Sequence, residues 1–227
     1  MRRLTKFWGL VLAVVLALSF GVGSASADTT SYSISVPNTA LACCTGPYAS
    51  VLVNRTSATV ATITFTSLTN GGFTYLMAGA QAVDVNVNAS SWTTTIPVGT
   101  GLIGFTPGPF TDGGSLNVDG FGVFNQTYDS FDGFNHSSTS VTFTLTNTGG
   151  TWGSAGSVLL ANGNGALAAI HGFACATPCT INSTAFATGY AANGGAQVPE
   201  PASLLLLGSG LAGLGFWQWK RRKDVQV

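Results

Sequence analysis

Catalysis needs ionisable groups held together, and residues 28–198 of this 227-residue chain supply few: His136, His171, Arg55 and six aspartates at 28, 84, 112, 119, 129 and 132. Serines abound, so a Ser-His-Asp set is arithmetically available. No serine, however, sits in the Gly-x-Ser-x-Gly elbow that would expose it as a nucleophile. A glycosidase needs two opposed carboxylates, and Asp129 with Asp132 is the pair to nominate. Nothing places that pair at a strand end. His171 follows an alternating apolar stretch and reads as a hydrogen-bonded strand residue. The chain is therefore expected not to be an enzyme, and no cofactor is expected.

Asp129-x-x-Asp132-Gly133-x-Asn135 is the best local candidate for calcium, because closely spaced hard oxygens with a turn glycine suit that ion. It is not an EF-hand loop, and the expected reading is a solvated turn capped by its own Asp and Asn side chains. The four cysteines fall into two pairs, Cys43-Cys44 and Cys175-x-x-x-Cys179. In an exported chain disulfides are the default. Three connectivities are open. Adjacent cysteines would close a small strained ring, so two bridges joining the early pair to the late pair are favoured. They would close a loop of about 130 residues and contribute some 3–5 kcal/mol.

The elements that position these groups read as strands. Tyr32, Ile34 and Val36 alternate with serines; Ala61, Ile63 and Phe65 with threonines; Val83, Val85 and Val87 with Asp84, Asn86 and Asn88; Val141, Phe143 and Leu145 with threonines. Period-two alternation of β-branched and aromatic residues marks half-buried strands. The clusters at 70–72, 112–114, 147–150 and 162–165 supply the positive φ of tight turns. The one helical contender, residues 159–171, is broken by glycines and asparagines. The expected fold is all-β, a single antiparallel β-sandwich or jelly-roll-like domain over residues 28–196.

Both ends have a different grammar. Arg2, Arg3 and Lys6 precede an apolar run over residues 7–20, and small residues lead to Ala25-Ser26-Ala27. That is a secretory signal peptide over residues 1–27, with cleavage expected between Ala27 and Asp28. At the other end Pro199, Glu200 and Pro201 precede an uncharged stretch, 202–219, and the cations Lys220, Arg221, Arg222 and Lys223. Eighteen helical residues would span about 27 Å, close to the hydrocarbon thickness. The cations should stay cytoplasmic as a stop-transfer cluster, holding the chain in the membrane with its domain outside.

Seven of the eight cations lie in these two end segments. The stretch between keeps Arg55 against six aspartates, a net charge of −5. Nucleic-acid binding needs several cations to neutralise phosphates, so that class is excluded.

The tail of residues 197–227 resembles the PEP-CTERM sorting signal of Gram-negative bacteria, in its Val-Pro-Glu-Pro, Leu/Gly-rich span and terminal Arg/Lys cluster. The resemblance implies an exosortase as processing partner, transient anchoring in the inner membrane, and delivery to the cell surface, outer membrane or extracellular matrix. The stretches 131–135, 141–146 and 168–173 resemble a pattern shared by small secreted β-rich proteins carrying such tails. The expected role is a structural or interaction component associated with exopolysaccharide or biofilm. The alternative is a carbohydrate-binding or adhesin module using Trp92, Tyr128 or Trp152 as sugar platforms. A secreted hydrolase using His136, His171 or Asp132 is a third reading.

Overall fold

The computed structural model describes residues 28–194. The signal segment with Ala27, the motif Pro199-Glu200-Pro201, the stretch 202–219 and the cations at 220–223 lie outside the described residues.

Fourteen strands follow one another among the described residues. In the first half they are β1 (Asp28–Ile34), β2 (Val36–Pro37), β3 (Ala49–Arg55), β4 (Val60–Ser67), β5 (Thr69–Asn70), β6 (Phe73–Met77) and β7 (Val83–Val85). The second half holds β8 (Trp92–Thr94), β9 (Val98–Thr100), β10 (Phe110–Val118), β11 (Gly122–Ser130), β12 (Ser140–Asn147), β13 (Ala168–Ala176) and β14 (Ala187–Ala192). Among the described residues, helical structure is confined to the short 3-10 turns Phe134–His136 and Ala155–Ser157. No helix among the described residues is long and apolar enough to cross a membrane.

The strands form two antiparallel sheets. The first runs β1-β3-β4-β12-β8, with β9 also pairing to β12. The second runs β10-β11-β7-β13-β14-β2, with β6 pairing to β13 beyond β7 and β5 to β6. The period-two runs do what their pattern dictates. Ile63 and Phe65 of β4 and Phe143 of β12 meet Val83 of β7, Tyr128 of β11 and Ile170 of β13 in one shared core. The rings of Tyr128 and Phe143 pack across the sheets with centroids 4.6 Å apart. On the opposite face of the first sheet, half-buried Thr64 and Thr142 share a hydroxyl hydrogen bond of 3.1 Å.

Four expectations are corrected. Tyr32, Ile34 and Val36 do not share a strand, because the chain changes sheet at Ser35, whose N–H donates to Ala192 at 3.0 Å. Asp112-Gly113-Gly114 is not a turn between strands; it bulges β10, shifting its register against β11, with Gly114 at φ +67°. The β10–β11 turn uses Gly120 (φ +84°) and Gly122 (φ +82°) instead. Asp84 does not face solvent. It is fully buried, because the second sheet is covered on both faces. Its outer face carries two satellite clusters, one around Val118, Phe121 and Phe124, the other around Leu76, Phe105 and Phe173.

The fourth correction concerns the cysteines. Cys175 is bonded to Cys179, with a Cα–Cα distance of 5.6 Å, while Cys43 and Cys44 are free. Alternation along β13 gives the reason. Ile170 and Ala174 point into the shared core, so Phe173 and Cys175 point to the opposite face. Cys44 lies in the shared core with Tyr48 and Tyr75. Cys44 and Cys175 thus lie on opposite sides of the second sheet, and Cys175 takes the nearby Cys179 as its partner. Burial, then the neighbouring Cys43, pushes the Cys44 thiol up to about 12.

Candidate functional site

The outer face of the second sheet forms a cleft of about 420 Å³ between its two satellite clusters. Its floor is a cross-strand set. β13 and β14 pair His171 with Tyr190 and Phe173 with Thr188. The His171 and Tyr190 rings stack at 4.5 Å and 19°, and Phe173 lies 5.1 Å from the imidazole. Asp119, on the β10–β11 turn, and Asp132, after β11, close the rim. Asn38 opposes them and donates to Asp119 at 3.0 Å.

The chemistry is that of a half-buried imidazole among carboxylates. His171 Nε2 and Thr188 Oγ1 are 2.8 Å apart, while Nδ1 has no hydrogen-bond partner. Burial pushes the His171 pKa down, opposed by the Asp132 carboxylate and the carbonyls of Ala80 and Ala78. Tyr190 donates to Ala80 at 3.3 Å. Its hydroxyl is pushed up to about 12, first by burial and then by Asp84, Asp119 and Asp129. A hydroxyl, an imidazole and a carboxylate therefore gather at Thr188, His171 and Asp132. The link that would orient the ring, from Nδ1 to the carboxylate, is not made.

The unfolded chain takes up the His171 proton near pH 6.5, before the folded one does. This contribution to stability is complete above about pH 6.5 and is lost as pH falls below it. Thermal melts of His171→Gln against the parent, between about pH 7.5 and 5, should show the parent's acid-side loss reduced in the variant.

The other nominated residues disperse. His136 sits apart, its Nδ1 2.8 Å from the Gly108 carbonyl and its ring 4.5 Å from Phe131. Asp129 accepts from the Gln81 N–H at 2.7 Å, whereas Asp132 faces His171. Asn135 is exposed, and its carbonyl accepts from Thr106 at 2.9 Å. Asp129, Asp132 and Asn135 are thus turned to different neighbours. Among the described residues no group of three or more His, Cys, Asp or Glu is placed to hold a metal. The three sugar-platform candidates are not free either. Tyr128 and Trp152 are buried, Trp152 donating to Asn88 at 2.7 Å, and half-buried Trp92 donates to Gln126 at 3.0 Å. Asp28 opens β1 and binds Arg55 at 2.7 Å and the Ala155 N–H at 2.7 Å.

Beyond the described domain, residues 197–222 match the family model of the PEP-CTERM protein-sorting motif. The chain carries a PEP-CTERM sorting signal. The match takes in Pro199, Glu200 and Pro201, the uncharged stretch and the first three terminal cations. The PEP-CTERM motif implies export, processing by an exosortase and sorting to the cell surface. No curated protein and no solved structure matches the chain. The PEP-CTERM signal therefore informs on destination, and the cleft rests on its own geometry.

Sequence reasoning had named His171 and Asp132 but missed Asn38, Asp119 and Tyr190. These come from two turns and from β14, far apart along the chain. The Asp119-Gly120 dipeptide was the available signal, and it marks a turn without saying what the turn faces.

Proposed function

We propose that this chain is a non-enzymatic structural or interaction component of the bacterial envelope and extracellular matrix, associated with exopolysaccharide. The C-terminal stretch holds it in the inner membrane until an exosortase processes it near Pro199. The observation that carries this reading is the PEP-CTERM motif, borne by a chain whose domain surface is hydroxyl- and amide-rich and nearly free of cations. Such a surface can meet neutral polysaccharide through hydrogen bonds, without an electrostatic requirement.

Removal of residues 199–227 tests the reading. The truncated chain should fail to reach the surface fraction, and the full chain should lose mass on maturation. The full chain should also co-purify with exopolysaccharide from producing cells and not from a non-producing strain. Arrival of the truncated chain at the same location and mass as wild type would overturn the sorting claim. Equal recovery from both strains would overturn the polysaccharide association.

A further inference from the structure

Beneath the cleft the second sheet holds three polar oxygens that nothing satisfies. Both carboxylate oxygens of Asp84 and the hydroxyl of Thr127 are buried without a hydrogen-bond partner. The two residues are direct partners in the β7–β11 register. Val83, Val85 and Tyr128 take the shared core, so Asp84 and Thr127 point to the other face. Asp129 lies two residues further along β11, on the same face. A Cβ placed on Gly113 would sit 2.6 Å from Thr127 Oγ1 and 3.3 Å from Asp129 Oδ2. Those two oxygens thus converge on one point beside Gly113, where the β10 bulge leaves no room for a side chain. On the far side of Asp84, the β13 neighbour is Ala169, which supplies no polar atom.

We propose that Asp84, Thr127 and Asp129 bind a calcium-class divalent cation under the outer face of the second sheet. An unpaired buried carboxylate is among the costliest groups a fold can hold, and Asp129 on the adjacent strand brings more negative charge rather than relief. Asp129 adds to burial in raising the Asp84 pKa well above its usual value. The single Lys or Arg among the described residues, Arg55, is engaged with Asp28 at the start of β1. A proton on Asp84 would neutralise it but leave the new O–H without an acceptor and Thr127 unsatisfied. A hard dication answers all three oxygens at once, and an all-oxygen donor set selects calcium over softer metals. Two carboxylates and a hydroxyl, completed by carbonyls or water, make a low-charge site. Such sites in extracellular modules bind at about 0.1–1 mM.

The test is calcium titration of the full-length protein, stripped with EDTA, by calorimetry and thermal melting. Saturable binding near that range should appear with a rise in Tm. Asp84→Asn should weaken binding at least about tenfold, and should melt above the stripped parent because a buried charge is gone. Gly113→Ala keeps both carboxylates but drives a methyl against Thr127 Oγ1 and Asp129 Oδ2, so it too should lose the calcium response. Asp132→Asn, on the cleft rim, should bind as wild type. The proposal is overturned by the absence of heat and Tm shift up to about 10 mM calcium. Wild-type binding by both Asp84→Asn and Gly113→Ala would overturn it equally.

Discussion

Phe143→Ala is expected to remove about 3–5 kcal/mol of stability, a large share of the roughly 5–15 kcal/mol a domain usually has. Phe143 is 2 % exposed and sits midway along β12, with Phe65 at 6.3 Å on its own sheet and Tyr128 at 4.6 Å on the other. Truncation removes the ring that ties the sheets together. The strand neighbours are held by the ladder to β4 over seven residue pairs, so they cannot close the gap cheaply. Chemical denaturation should show a lower midpoint at unchanged slope, the mark of lost stability rather than altered compactness. Val123→Ala, at a side chain 56 % exposed on β11, should stay within about 0.5 kcal/mol and serves as the control. A loss under about 1 kcal/mol at Phe143 would mean that the two sheets do not share the core described.

The second large effect concerns the disulfide. Replacing Cys175 and Cys179 together by serine should cost about 2 kcal/mol, as expected for a loop of so few residues. A bridge across the domain, closing about 130 residues, would have cost about 5 kcal/mol. Thiol counting separates the two pairings independently. The native chain should offer one reactive thiol, the exposed Cys43, and the unfolded unreduced chain two, once Cys44 is uncovered. Four after unfolding would remove the Cys175–Cys179 bond, and none would mean that Cys43 and Cys44 are bridged as well. Because Cys175 is buried on the outer face, the serine variant also tests how firmly the segment after β13 covers that face.

What the sequence made legible was the side of each strand, not what would cover that side. Ala61, Ile63, Phe65, Val141, Phe143 and Leu145 are all buried as their alternation requires, because the opposite face of their sheet stays partly open. The same alternation misplaced Asp84. Its strand belongs to a sheet covered twice over, and the covering residues, Phe121 and Phe124, come from a hairpin some forty residues downstream. The cysteine pairing failed for a related reason. A loop-entropy argument weighs the length of a closed loop but is blind to which face of β13 carries Cys175. The cleft was half legible, since His171 and Asp132 stood out as scarce ionisable groups. Tyr190 and Asn38 carried no local mark.

The two outermost long strands differ in how they would meet a second copy. β10 borders the second sheet, and its register breaks at Asp112/Gly114 and again at Gly114/Leu116. Bulges of this kind twist an edge away and deny an incoming strand a continuous ladder. β1 borders the first sheet and pairs with β3 over seven consecutive residues without a break. Its outward side offers regularly spaced main-chain donors and acceptors. At high local concentration, stickiness between copies would therefore be polarised. Of these two rims, β1 is permissive to strand addition and β10 forbidding.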